Sequence, residues 1–278
     1  MEAVLFYGSC LRNNVFVDNV ADFYVIVKDL NFNKNIFIRL LNHLFPPNVY
    51  YLETTHGGDI LRAKYGIFSF DQFRDMASMN AFHPYLWARL VQPMKLVYVK
   101  DDAVKNKIVR SIYTAILTLT TNVIPLIKDP FDLQEFWLKA FSLTYKTEIR
   151  PEGKKNIVNI YNTNKEYLTC LAENILDKLP YPIEKFSTQS NSYSYSIKIR
   201  KLIKFLHLIK WCLRIVYGKI LSVMRLLKSL FTFNNAFEYG FYKLSKHTPN
   251  VKIPSLFKDN LFLSCMYLFI VGIKRKIF

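Results

Sequence analysis

The chain is short of acid: 21 Asp and Glu stand against 38 Lys and Arg, a formal charge of +17 over 278 residues. It is also short of cysteine. Cys10, Cys170, Cys212 and Cys265 lie far apart with no C-x-x-C pair. This excludes a disulfide framework or a zinc ribbon and predicts buried free thiols in a reducing compartment. The five histidines, at 43, 56, 83, 207 and 247, fall in no metal-ligand spacing. His43 and His207 read as helix-face residues, and His56-Gly57-Gly58-Asp59 as a turn. No apolar run reaches the ~18 residues of a membrane span. The longest uncharged stretches are 111–127, broken by four Thr and Pro125, and 260–273. The opening MEAVLFYGSC has no charged segment ahead of an apolar one, so a secretory precursor is not expected.

What is present is a core. Apolar residues make up 51% of the chain, which excludes a disordered basic tail and leaves a folded protein with an anionic partner. The charge is unevenly placed. Residues 196–278 carry 16 Lys and Arg against Glu238 and Asp259, whereas residues 1–195 carry 22 against 19. A near-neutral first two thirds and a strongly basic last third point to a nucleic-acid or anionic-membrane surface at the C-terminal end.

Along the chain, residues 3–7 and 20–27 read as strands joined by a turn at GSCLRNNVFVDN, and 33–44 as a helix stopped by Pro46-Pro47. Further strands are expected at 49–52, 60–68 and 94–99, with a capping box at Ser69 and Gln72. From Asp102 the period becomes helical: one helix to about Asn122, one capped by Asp129, and one opened by a second capping-box pattern at Thr163 and Glu166. Residues 143–149 and 157–161 read as possible strands, and Pro180-Tyr181-Pro182 followed by FSTQSNSYSYS as a linker. Residues 197–217 form an amphipathic helix ended by Gly218. On it Arg200, Lys204, His207, Lys210 and Arg214 share an arc of about 120° opposite Ile203, Leu206 and Leu213. A second helix of the same pattern follows.

Gly8-Ser9 followed by Asp22 in an apolar strand has the spacing of nucleotidyltransferases of the DNA-polymerase-β type. There glycine lets backbone approach a phosphate, serine and nearby N–H groups bind it, and a strand carboxylate holds Mg²⁺. The usual second carboxylate two residues on is absent, because that position is Tyr24.

YGSCLRNN, ADFYVIV, LRAKYGIFSFDQF, YLWARLVQPMKLV and SLTYKTEIRPEG, in this order, resemble the peripheral phosphatidate cytidylyltransferase family, whose mitochondrial members are known as translocator assembly and maintenance proteins. GKILSVMRLLKSLFTFNNAFEY and KLSKHTPNVKI resemble the basic C-terminal part of bacterial members. The resemblance implies an α+β chain with four parts: a polymerase-β-like nucleotidyltransferase domain (1–101), a helical winged-helix-like domain (102–180), a linker (181–196), and basic membrane-associating helices (197–278). It implies that CTP and phosphatidate give CDP-diacylglycerol and pyrophosphate, with Mg²⁺ as cofactor.

By the same likeness Gly8, Ser9, Asp22, Lys64, Tyr65, Arg89, Gln92, Glu148 and Arg150 occupy the motif positions. Asp22 is the expected first metal ligand and Glu148 the carboxylate that Tyr24 does not supply. Lys64 and Arg89 are the expected phosphate cations, one as a point charge and one as a fork. Tyr65, Gln92 and Arg150 complete the CTP site, and Arg200, Lys204, Lys210 and Arg214 the membrane surface. The expected location is the inner face of the cell membrane, reached peripherally from the cytoplasm. Two alternatives stay open: an RNA-directed transferase of the same fold, and a non-catalytic membrane- or nucleic-acid-binding protein on a decayed scaffold.

Overall fold

A computed structural model describes residues 1–17, 19–30, 35–187, 193–232 and 271. The protein is a mixed α+β chain whose internal contacts form two compact units. One comprises Met1–Gln72, Lys95–Lys100 and Leu221–Phe278, and the other Phe73–Met94 and Asp101–Ile220.

The first unit is built on a five-stranded sheet of order β3-β4-β2-β1-β5, from strands β1 (Ala3–Tyr7), β2 (Val20–Val27), β3 (Asn48–His56), β4 (Asp59–Ser69) and β5 (Lys95–Val99). β2 and β4 run parallel, and the other neighbours run antiparallel. Two helices, α1 (Ser9–Asn13) and α2 (Ile36–Leu44), lie in the connections. α1 replaces the expected plain turn. It sets Cys10 and Leu11 against Phe6, Ala21 and Phe23 on one face of the sheet, and the Cys10 thiol donates to the Val20 carbonyl.

The strands alternate as side-chain period two requires. Ala3, Leu5, Tyr24, Ile26 and Phe68 on the other face are all buried. The β3–β4 turn at Gly57 and Gly58 has φ of 60° and 89°, a conformation two consecutive glycines adopt without steric cost. The expected capping box is formed: Ser69 Oγ accepts from Gln72 N and Gln72 Oε1 from Ser69 N, both at 3.2 Å, at the start of α3 (Phe70–Ala77).

The second unit is helical, with α4 (Trp87–Val91), α5 (Asp102–Val123), α6 (Leu133–Tyr145), α7 (Lys154–Thr163) and α8 (Lys165–Ile175). Asp101 rather than Asp102 caps α5, and Asp132 rather than Asp129 caps α6. Asp129 instead accepts a bond from Ile197 N at 3.1 Å. The second capping-box expectation fails because Thr163 is the last residue of α7; its hydroxyl donates back to the Asn159 carbonyl. Residues 143–149 and 157–161 are not strands. They belong to the end of α6 with the turns after it and to α7, whose buried Ile157, Ile160 and Tyr161 recur at helical spacing.

The expected linker contains a hairpin, β6 (Ile183–Ser187) with β7 (Tyr193–Ile197). Alternating Tyr and Ser hide its period, yet Tyr195 and Ile197 are buried, and Tyr195 stacks on Phe131 at 5.7 Å. The last described element is α9 (Lys201–Thr232), one helix where two were expected. Gly218 does not end it. A Cβ at Gly218 would come within 2.6 Å of the Thr147 carbonyl, so glycine serves close packing at that point.

One cation of the expected basic face of α9 departs from expectation. Arg214 is fully buried. Its Nε donates to the Phe82 carbonyl and its Nη1 to Asn122 Oδ1, both at 2.9 Å, and its guanidinium lies over Trp87 and Trp211. Burial pulls its pKa down to about 10. Arg214 therefore cannot belong to a membrane-facing surface, whereas Leu206 and Leu213, on the apolar side of the expected amphipathic helix, are exposed. Among the described residues no helix is long and apolar enough to cross a membrane. Cys10 is buried as expected, but Cys170 and Cys212 are exposed free thiols; Cys265 lies outside the described residues.

Candidate active site

Two groups of the candidate residues are assembled, one in each unit. In the first unit Asp22 lies on β2 between Tyr7 of β1 and Lys64 of β4, its register partners. Cross-strand partners share a sheet face. Lys64 Nζ accordingly lies 3.0 Å from Asp22 Oδ1, with both side chains partly exposed. Gly8 follows β1 directly and has a φ of 90°, open to glycine and strained for other residues. It also has no room for a side chain, since a Cβ there would stand 3.0 Å from Asp22 Oδ2. Backbone, carboxylate and ammonium thus converge where β1 hands over to α1, and Ser9 opens that helix. Cys10 reports the same convergence: burial first and then the Asp22 charge push its thiol pKa up, opposed by a hydrogen bond with Ser9.

Tyr24, where a second carboxylate was missed, is a core residue. Its ring stacks on Tyr7 at 4.2 Å and meets Phe68 edge-on at 5.3 Å. Gly66 makes room for it, because a Cβ there would lie 3.4 Å from the Tyr24 ring and 3.2 Å from Pro47. The glycine of the KYG segment is therefore explained by packing. Tyr65, taken with Lys64 in the sequence, faces the other way because adjacent strand residues alternate; its ring stacks on Tyr50 at 5.5 Å. Strand alternation separates it from the Asp22 group.

In the second unit Arg89 lies on α4, its Nη1 2.8 Å from Glu148 Oε1 and 2.9 Å from the Tyr85 carbonyl, with its guanidinium 4.4 Å from the Tyr85 ring centre. Glu148 is carried by a turn beyond α6, in which its N–H donates to the Tyr145 carbonyl. Gln92 Nε2 donates to the Tyr145 hydroxyl and to the Ala88 carbonyl, both at 2.9 Å. Burial, chiefly, pushes the Tyr145 pKa up to about 12; the Arg89 charge opposes the shift and the Glu148 charge adds to it. Tyr145 therefore remains a neutral phenol.

Arg89, Gln92 and Glu148 are thus brought together, and Tyr145 is the member that sequence reasoning missed. Its signal was the three-residue spacing to Glu148, which puts both on one side of a helical turn but on opposite sides of the strand expected there. Arg150 follows as an exposed residue.

The donor set limits what metal the chain could hold. Among the described residues no group of three or more His, Cys, Asp or Glu side chains could bind an ion. In the first unit Asp22 is the carboxylate of the group, and in the second Glu148 is engaged by Arg89. This donor set suits Mg²⁺ bound to one carboxylate and completed by substrate phosphates and water. Among the described residues it offers too few side-chain donors for a resident all-protein metal centre. No protein-family model matches this chain, and no curated protein matches it.

Proposed function

We propose that the protein is a phosphatidate cytidylyltransferase: it transfers CMP from CTP to phosphatidate, giving CDP-diacylglycerol and pyrophosphate at a membrane surface. The observation that carries this reading is the convergence of Gly8 backbone, Ser9, Asp22 and Lys64 at one end of β1. The five-stranded mixed sheet supports a nucleotidyltransferase fold, with the phosphate loop directly after the first strand and the carboxylate on the neighbouring one.

The phosphatidate phosphate is anionic near neutral pH. One of its oxygens attacks the α-phosphorus of CTP, the bond from that phosphorus to the bridging oxygen breaks, and the electron pair leaves with pyrophosphate. No general base is required, so positioning and charge neutralisation carry the catalysis. Asp22 is the residue that would hold Mg²⁺, which when bound supplies positive charge at the triphosphate. Gly8 lets the backbone approach the phosphates, and Ser9 supplies a hydroxyl donor. Lys64, paired with Asp22 at 3.0 Å, is the point charge next to them. Within the second unit, Glu148 fixes the Arg89 guanidinium against Tyr85 and Tyr145, an arrangement that presents it as a fork for an anion. Gln92 holds the Tyr145 hydroxyl, and Arg150 is exposed.

The product and one substrate carry diacyl tails that must stay in a bilayer, and the basic last third of the chain supplies attraction to anionic lipid on the inner membrane face. Of the surface cations expected on the 197–217 helix, Arg200 and Lys210 are exposed and Lys204 is half-buried. These three, without Arg214, are the candidates for that contact.

The test is α-labelled CTP with Mg²⁺ and either phosphatidate vesicles or an RNA 3′ end. Label extracted into lipid only with phosphatidate supports the reading. Label on RNA alone identifies an RNA-directed transferase. No transfer to either acceptor identifies a non-catalytic scaffold.

A further inference from the structure

Beside the Asp22–Lys64 pair, on the same face of the sheet, lies a second group of side chains. Arg62 and Lys64 stand two apart on β4 and therefore point to one face. Their register partners are Glu53 and Tyr51 on β3, and Val20 and Asp22 on β2. Arg62 Nε donates to Glu53 Oε1 at 2.8 Å, and the Tyr51 hydroxyl donates to the same oxygen. The bond from Tyr51 lowers the Glu53 pKa; burial opposes it, and the bond and charge of Arg62 add to it. Glu53 is thus an anion that holds a guanidinium and a phenol together.

This group lies at the end of the sheet that carries the Gly8–Ser9 loop. Val20, the register partner of Arg62, accepts from the thiol of Cys10, which follows Ser9 in the chain. The loop leaves β1 on one side of β2, and Arg62 lies on β4 on the other side. Two strand spacings, about 10 Å, separate these flanks, with Asp22 on the strand between them.

We propose that Arg62 binds the phosphomonoester of the acceptor, with Glu53 as its positioning residue. This rests on the cytidylyltransferase reading and deepens it. Displacement at the α-phosphorus needs the attacking and leaving oxygens roughly in line, on opposite sides of that atom. The Gly8–Ser9 loop takes the departing phosphates on the β1 flank of Asp22, so the attacking phosphate approaches from the β4 flank, where Arg62 stands. A guanidinium matches a phosphate bidentately, which an ammonium such as Lys64 does not. The Arg62 side chain is only 12% exposed and its Nε is tied to Glu53, so the plane of the fork is set before a ligand arrives. Such ordering in advance lowers the cost of binding.

The experiment is steady-state transfer from α-labelled CTP to phosphatidate in mixed micelles, with CTP affinity measured separately by calorimetric titration without acceptor. Arg62→Lys keeps the charge and loses the fork. It is expected to raise the apparent KM for phosphatidate by about 10-fold or more, with CTP affinity and thermal midpoint unchanged. Glu53→Gln moves the same KM in the same direction by less, and it carries the test alone if Arg62→Lys does not fold. An unchanged KM for phosphatidate in the folded variants, or a loss of CTP affinity equal to the rise in KM, overturns the proposal. Wild type that transfers nothing refutes the cytidylyltransferase reading instead, and Arg62 is then tested by titrating dihexanoyl phosphatidate without CTP. Binding that weakens in Arg62→Lys, or in Glu53→Gln where that variant carries the test, supports the phosphomonoester site; equal binding, or none by wild type, overturns it.

Discussion

Lys64 Nζ stands 3.0 Å from Asp22 Oδ1 because the two residues are register partners in the parallel pairing of β2 with β4. Both side chains are partly exposed, at 36% and 23%, and ion pairs of that kind contribute at most about 1 kcal/mol. The pairing therefore contributes little to stability. Asp22→Asn is expected to leave the denaturant midpoint nearly unchanged, within about 1 kcal/mol, while cytidylyl transfer falls by about 100-fold or more. Parallel unfolding curves and rate measurements check this; a large loss of stability with activity retained would make Asp22 a structural residue.

Gly8 combines a φ of 90° with a virtual Cβ 3.0 Å from Asp22 Oδ2. Alanine at this position meets both backbone strain and the carboxylate, at a cost of about 1–3 kcal/mol. Gly8→Ala is expected to lower the unfolding midpoint and to weaken CTP binding, measured by calorimetric titration. Gly57→Ala, at the β3–β4 turn where no atom lies within 4 Å of the added methyl, should cost stability without affecting CTP.

The Arg89–Glu148 pair is more sheltered, with side-chain exposures of 19% and 23%. Glu148→Ala leaves a guanidinium in this pocket without its carboxylate, which costs about 1–3 kcal/mol. Arg89→Ala does the same to the carboxylate. A double-mutant cycle is expected to show coupling above about 0.5 kcal/mol, and additivity of the two single changes would contradict the pairing.

Lys228 gives a pH prediction. Its ammonium is buried beneath the 45–48 turn, donating to the Phe45 and Pro47 carbonyls and to Asn48 Oδ1 at 2.6–2.8 Å. Burial, with help from the Arg225 charge, pulls its pKa down to about 7 from 10.5. A lysine with a depressed folded pKa releases a proton on folding over that interval. The burden of burying its charge is complete below pH 7 and is relieved as pH rises towards 10.5. Stability should therefore climb with pH across that window through this residue. Lys228→Met is expected to remove that slope in a series of unfolding curves; an unchanged slope would show that Lys228 does not titrate there.

The β-sheet was readable because its strands are short apolar runs bounded by turn residues, and the Ser69–Gln72 capping box was readable from spacing alone. What escaped had physical causes. Tyr145 and Glu148 were read on a strand because TYKTEI alternates, yet α6 runs through Tyr145 and helical turns carry the chain on to Glu148. The β6–β7 hairpin escaped because Ser alternating with Tyr carries little apolar contrast. Tyr65 was placed beside Lys64 by the resemblance of the KYG segment, but neighbours in a strand point to opposite faces.

The burial of Arg214 was beyond any periodicity argument. A helical wheel shows that Arg214 and Leu213 lie on different faces, but not which face its own protein will bury. Trp87, Trp211 and the Phe82 and Asn122 acceptors hold the arginine inside, and Trp87, Phe82 and Asn122 are remote in sequence.

The central claim rests most directly on one comparison. Purified wild-type protein and Asp22→Asn are each given α-labelled CTP, Mg²⁺ and phosphatidate vesicles, and the lipid phase is counted. The account predicts cytidine label in the lipid for wild type, dependent on phosphatidate and lost in Asp22→Asn. Equal label from the two proteins, or none from wild type that binds CTP, would contradict it.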